Sequence, residues 1–205
     1  RSVEDVDRVF AAVRTFFNWL VERGVLETSP CVGVKAPTAE TSRDRVLSDD
    51  ELRLLMRALA GFNYPFGPMM HLLLLSGQRR NEVSGMRRCE IEGDVWTIPR
   101  ERSKNGEAHE VPLSDAARAI LDGLPRIMSS RGKVSDLCFT TTGRTAVSGF
   151  GRAKAALDEK MLALARDDAA KAGRDPDDIA IAPWRLHDLR RTMATGLARM
   201  GVPPH

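Results

Sequence analysis

Between Ile91 and Leu113 the apolar residues of this chain change their spacing, and no other feature narrows the possible folds as much. Elsewhere they recur every three or four residues, the period of a helix face. Inside this stretch the pattern shifts toward the two-residue period of strands, in Val95-Trp96-Thr97-Ile98 and Glu110-Val111-Pro112. Ser103-Lys104-Asn105-Gly106 separates the two runs, and Asn-Gly in such a place is a strong hairpin signal because both residues accept the positive φ of a tight turn. Gly93-Asp94 marks an earlier turn. The pattern predicts a mainly α chain with one small three-stranded antiparallel β-sheet, an α+β class.

The helical segments have readable ends. Val6, Val9, Phe10, Val13, Phe16, Phe17, Leu20 and Val21 form an amphipathic stripe that Gly24 can terminate. One helix cannot bury that stripe alone, so the chain is expected to start inside a larger protein. Pro30, Pro37 and the polar run Thr38 to Arg45 read as a connection. A second block opens at Leu47-Ser48-Asp49-Asp50-Glu51-Leu52, where Ser48 and Glu51 make a capping box and Leu47 and Leu52 a hydrophobic staple. Met69 to Leu75 is nearly all apolar and therefore central; Gly77 is placed to stop it, Arg79 follows directly, and a short helix should begin around Arg80 to Glu82. Ser114 caps a helix running to about Gly123. Leu137-Cys138-Phe139 is either a short strand or an extended link. Residues 148–172 read as one long helix, ended by Gly173 and the acidic turn Asp175 to Asp178. The last helix carries Leu189, Met193, Leu197 and Met200 on one face and stops at Gly201.

Composition excludes several classes. Hydrophobic residues at 42% and charged residues at 29% describe a soluble globular protein, and no apolar run is long enough to span a bilayer. Three cysteines, Cys31, Cys89 and Cys138, are far apart and odd in number, which fits reduced thiols in a cytoplasm; no Cys/His spacing suits zinc. The net charge of +3 is a weak pointer to nucleic acid. Its distribution is more telling, because Arg185, Arg190, Arg191 and Arg199 face the single Asp188 in one short stretch.

Two strings can carry chemistry: Gly77-Gln78-Arg79-Arg80-Asn81-Glu82 and His187-Asp188-Leu189-Arg190. Holding a phosphodiester while its charge grows needs donors aimed at the non-bridging oxygens, a proton acceptor and a proton donor. Arginine meets the first need, since its guanidinium stays charged and grips two oxygens at once. His187 and Arg190 share one face of a helix at three residues' spacing, although Arg191 at four would serve equally by spacing alone. A neutral or a cationic imidazole at His187 would play different roles, and both remain open. Glu82 can orient a cationic neighbour. Lys104 sits at the expected hairpin tip, from which a long side chain can enter a DNA groove. Each feature alone has a plainer reading: Arg-x-x-Glu is most often a surface ion pair, and a lysine in an Asn-Gly turn is usually just solvated. Their order and joint presence argue against coincidence. Arg80, Arg100, Arg102, Arg152, Lys154 and Arg191 flank these strings and are weaker candidates for DNA phosphate contacts. Trp184 reads as packing.

Taken together, these strings resemble the signature of the tyrosine recombinases, the phage-integrase family. The resemblance makes residues 1–36 similar to the last helix and exit of a core-binding domain, 37–47 a linker and 48–205 an integrase-type DNA breaking-rejoining catalytic domain. It implies that Arg79, Lys104, His187 and Arg190 are catalytic, that Glu82 supports them, and that Arg190 rather than Arg191 is the partner of His187. Lys104 would then protonate the departing 5′ oxygen. It further implies a site-specific recombinase of a phage or mobile element that cleaves and rejoins DNA through a 3′-phosphotyrosine, with no cofactor and no metal. The expected partner is a double-stranded DNA attachment site, bound by a tetramer of the full-length protein.

One residue departs from the pattern. Family members carry their nucleophilic tyrosine well after the His-x-x-Arg string, whereas the only tyrosine here is Tyr64. The expectation is a catalytic domain cut short, monomeric, able to hold the scissile phosphate and unable to cleave. A type IB topoisomerase is the nearest enzymatic alternative. A non-catalytic DNA-binding protein that keeps the arginine cradle is another, and an interaction domain with mere ion pairs a third.

Overall fold

A computed structural model describes residues 3–36 and 44–202, and the chain divides into two compact units, Arg1–Arg43 and Asp44–His205. Part of the expected linker, residues 37–43, and the final Pro203, Pro204 and His205 lie outside the described residues. In the first unit helix α1 (Val3–Glu22) ends where Gly24, at φ +69°, donates its N–H to the Val21 carbonyl. Val9, Val13, Phe16 and Trp19 on α1 are exposed, with the Phe16 and Trp19 rings stacked 6.5 Å apart.

The second unit opens with helix α2 (Asp49–Ala60), and the capping box forms as its residues predict: Ser48 Oγ accepts the Glu51 N–H at 3.2 Å and Glu51 accepts the Ser48 N–H at 2.8 Å. Helix α3 (Phe66–Ser76) is apolar on every side because it is the central helix, packed against α2 and three helices that follow. These are α4 (Arg80–Ser84), α5 (Asp115–Asp122) and α7 (Leu186–Arg199); the long α6 (Phe150–Lys171) lies against α2. Met69, Met70, Leu72 and Leu73 of α3 meet Leu55 and Leu59 of α2, Leu157 and Met161 of α6 and Leu189 of α7 in one core.

Three short antiparallel strands, β1 (Ile91–Glu92), β2 (Val95–Ile98) and β3 (His109–Pro112), form the sheet in the order β1-β2-β3. Trp96 opposes Val111 and both are buried, while Thr97 opposes Glu110 and both face out, so the period-two pattern is a true strand signal. The connection occupies the interval that the two runs leave between them. It runs from Pro99 to Ala108, because Pro99 has no N–H to continue the ladder and its carbonyl instead accepts the N–H groups of Arg102 and Ser103. Asn105-Gly106 closes a smaller turn within it, with Gly106 at φ +71° bonded to the Ser103 carbonyl.

Leu137-Cys138-Phe139 is the extended link of the two possibilities, joined to its neighbour by the Arg87–Leu137 bridge and the Cys138 N–H on the Met86 carbonyl. The last helix shares its apolar face between core and surface. Leu189 enters the core, Met193 and Leu197 are partly buried and line a cleft, and Met200 is 73% exposed.

Candidate active site

Where α3 stops, three helices converge on a few residues. Gly77 adopts the left-handed conformation at φ +61°, and a Cβ there would lie 2.7 Å from Met193 Sδ, so glycine permits both the helix stop and the close approach of α7. Arg79 then stands at the start of α4. One oxygen of Glu82 accepts the Arg79 backbone N–H at 2.8 Å and the other accepts its Nη1 at 3.0 Å. The Glu82 side chain is 2% exposed against 31% for that of Arg79, so a buried carboxylate aims a guanidinium whose other face reaches the solvent.

From α7, Arg190 Nη1 donates to the Gly77 carbonyl at 2.5 Å, which brings the two arginine motifs together across more than a hundred residues of chain. Burial and the nearby charge of Arg79 both pull the Arg190 pKa below its ordinary value. Arg190 has no carboxylate within ion-pair distance among the described residues, so two like charges share a site with only Glu82 to offset them. Arg191 goes elsewhere, to Asp188 Oδ1 at 3.4 Å. Asp188 is buried; it accepts the Arg185 N–H at 2.8 Å, and its carbonyl takes the Thr192 hydroxyl, which in turn accepts the Leu47 N–H at 3.0 Å. The start of this unit thereby holds α7 in register.

His187 lies on the exposed first turn of α7. Burial first, then the charges of Arg191, Arg190 and Arg79, lower its pKa. The imidazole is therefore neutral at pH 7 in the free chain and able to accept a proton. Lys104 is exposed on the β2–β3 connection, and its neighbours Ser103 and Asn105 line a cleft of about 800 Å³ together with Arg79, Arg190 and Met193. Two further polar residues reach this site without a clear sequence signal. Gln78 Oε1 stands 3.3 Å from His109 Nε2 and 3.5 Å from Arg190 Nη1, linking the first residue of β3 to the arginines. Gln78 is at least inside the Gly77-to-Glu82 string; nothing local marks His109.

The weaker candidates separate by environment. Arg100 and Arg152 are exposed and free of ion pairs among the described residues, and Arg80 is exposed with its guanidinium 4.7 Å from the Phe150 ring centre. Arg102 and Lys154 have partners within the fold. Arg102 pairs with Glu90 and donates to the Glu82 carbonyl, with 21% of its side chain exposed. Lys154 pairs with Asp158 and lies 3.8 Å from the centre of the Trp184 ring, with 14% exposed. Both charges are committed inside the fold, where burial also lowers the Lys154 pKa. Trp184 is buried, as packing requires.

Tyr64 is occupied as well. Its hydroxyl donates to the Thr140 carbonyl at 2.7 Å and accepts the Thr140 N–H at 2.9 Å, and burial raises its pKa. Cys138 is buried and its thiol pushed up to about 12, so it is no nucleophile at neutral pH. Among the described residues no cluster of His, Cys, Asp and Glu could hold a metal ion, and no helix is long and apolar enough to cross a membrane.

Residues 45–205 match the model of the Phage integrase family. The chain belongs to that family. Among its curated relatives, the shufflon-specific DNA recombinase of Escherichia coli is 29% identical over 151 residues, 63% of this integrase-family chain and 39% of the relative. The tyrosine recombinase XerC of Yersinia pestis is 30% identical over 114 residues, 52% of this chain and 36% of the relative. The match thus covers well under half the length of either. Solved structures of similar fold include a lambda integrase dimer bound to a COC′ core site, at TM-score 0.63 and 16% identity, over 97% of this chain and 68% of that one. The Tn1549 transposon integrase in complex with circular intermediate DNA gives 0.60 at 13% identity, over 99% and 69%. The tyrosine-recombinase family and the integrase-type catalytic fold, mainly α with a three-stranded antiparallel sheet, are therefore those of this chain.

Proposed function

We propose that this chain is the phosphate-holding part of a site-specific DNA recombinase, the integrase of a phage or mobile element, which cleaves and rejoins duplex DNA through a 3′-phosphotyrosine. The observation that carries this reading is the meeting of Arg79 and Arg190 around Gly77, two guanidiniums with a single carboxylate between them. In this reading the two arginines hold the non-bridging oxygens of the scissile phosphate, and Glu82 positions Arg79 without touching DNA. Neutral His187 accepts the proton of the attacking hydroxyl or hydrogen-bonds the phosphate, and Lys104 delivers a proton to the departing 5′ oxygen. The chain needs neither metal nor nucleotide, because the covalent link to the enzyme conserves the energy of the broken bond. Arg80, Arg100, Arg152 and Arg191 are the more accessible candidates for contacts to the DNA backbone, Arg102 and Lys154 the less accessible ones.

In this reading Tyr64 is not the nucleophile, its hydroxyl being bonded to the Thr140 carbonyl and N–H, and the attacking tyrosine is supplied from outside residues 1–205. In this reading the chain by itself is a monomer that binds DNA in the cytoplasm without cutting it, and the full-length recombinase acts as a tetramer on its attachment site. The test incubates nicked attachment-site DNA with a product of the same reading frame carried past His205. A protein–DNA adduct that survives denaturation is expected, and Arg79→Ala or Arg190→Ala should reduce its rate on the order of 10²- to 10³-fold, as the loss of one charge-stabilising donor does elsewhere. DNA binding with no adduct would instead favour a non-catalytic DNA-binding protein.

A further inference from the structure

A second group of cations lies outside the arginine cradle. Arg87, Arg131, Lys133 and Arg144 line one pocket of about 410 Å³, and its only carboxylate is Asp136. Both Asp136 oxygens are taken by Cys89, one by its N–H at 3.1 Å and the other by its thiol at 2.9 Å. None of the four cations forms an ion pair among the described residues, whereas Arg53, Arg57 and Lys171 elsewhere on the surface each sit on an aspartate.

The pocket is built from two turns held by their own hydrogen bonds. Ser129 N–H bonds to the Lys133 carbonyl at 2.8 Å and Ser135 N–H to that of Ile127 at 2.8 Å, which fixes Arg131 and Lys133 on one turn. The Thr140 hydroxyl accepts the Gly143 N–H at 3.0 Å and donates to the Thr145 carbonyl at 2.7 Å, which fixes Arg144 on the other. The turns meet at Gly143: a Cβ there would come within 2.6 Å of the Ser129 nitrogen, so the close approach requires glycine. Like charges gathered on fixed backbone repel one another unless an anion joins them.

We infer that this pocket is a second phosphate site, gripping the DNA backbone away from the scissile phosphate. The inference rests on the reading of the chain as a DNA-binding integrase. The reach is suitable: Arg79 and Arg87 are separated by little more than the five residues of α4, so their α-carbons lie within roughly 20 Å. At about 3.4 Å per base pair, a strand anchored at Arg79 brings phosphates roughly six base pairs away within that distance. An acidic protein surface fits less well, because only Val134 and Leu137 add apolar side chains and the aromatic anchors of a protein interface are missing from the pocket.

The test measures the salt dependence of duplex DNA binding for the unaltered chain and for Arg131→Gln/Lys133→Gln/Arg144→Gln. All three residues are exposed, and an unchanged melting temperature would confirm that the fold is intact. The slope of log K against log salt should fall by about 0.9 for each phosphate contact removed, with affinity near 0.1 M salt weakened at least roughly tenfold. Arg53→Gln/Arg57→Gln/Lys171→Gln removes the same formal charge from ion-paired positions and should change the slope much less. An unchanged slope in the pocket variant, or an equal loss in the control, would overturn the second phosphate site while leaving the integrase reading intact. Absence of salt-dependent DNA binding by the unaltered chain would overturn both.

Discussion

Glu82 carries its charge almost out of reach of water, and it does so with both oxygens on Arg79, at the backbone N–H and at the guanidinium. This explains why a glutamate three residues on matters to an arginine: the helix start fixes the distance and burial fixes the direction. His187 shows the opposite effect, a group set by charges it does not touch. Burial and three arginines hold its pKa below the usual value near 6.5. A phosphate among those arginines offsets their field and raises that pKa, so the complex binds more protons than the free chain. DNA affinity should therefore rise as pH falls from about 7.5 to 5.5, and His187→Gln should flatten that dependence. Anisotropy titrations at several pH values check this; the same dependence in the variant would refute it. The pairing of Arg79 with Glu82 and the placing of His187 and Arg190 on one helix were legible in the sequence because these relations are local, each spanning three residues. The Arg102 contacts with Glu90 and the Glu82 carbonyl and the Trp184 face beside Lys154 were not, because these partners are distant in the chain; only the Lys154 pair with Asp158 is local.

At the scale of elements, the junction of α3 and α7 determines whether the arginines meet. Gly77 serves both the stop of α3 and the contact with Met193, so Gly77→Ala places a side chain in a left-handed conformation and against a sulfur at once. The conformational cost is about 1–2 kcal/mol. Thermal unfolding should move down by several degrees, on the scale of about 2–4 °C per kcal/mol for a chain of this length. DNA binding should weaken as well, since Arg190 rides on the displaced helix. An unchanged melting temperature and affinity would show that the junction relaxes freely. The helix starts at Ser48 and Ser114 and the stop at Gly77 were readable because capping is local chemistry. The path within the β2–β3 connection was not, because Pro99 opens a first turn with Arg102 and Ser103 and Asn105-Gly106 closes a second on the Ser103 carbonyl. The environment of the α7 face was not readable either: spacing places Met193 and Leu197 beside Leu189 but does not tell a core from the wall of a cleft.

Across the whole molecule, the formal charge of +3 conceals how the cations are spent. Some, such as Arg57 and Arg102, are neutralised by carboxylates within the fold, while Arg190 and the four cations around Asp136 are left for an anion. The central claim is that Arg79 and Arg190, with His187 beside them, hold one phosphate. The most direct measurement follows the side-chain NMR signals of these three residues while inorganic phosphate is titrated into the 205-residue chain. The claim predicts that the Arg79 and Arg190 Nε–H signals and the His187 ring signals shift together along one saturation curve, and that Arg190→Ala weakens the response at Arg79. Signals that move on separate curves, or an Arg79 response untouched by Arg190→Ala, would contradict it.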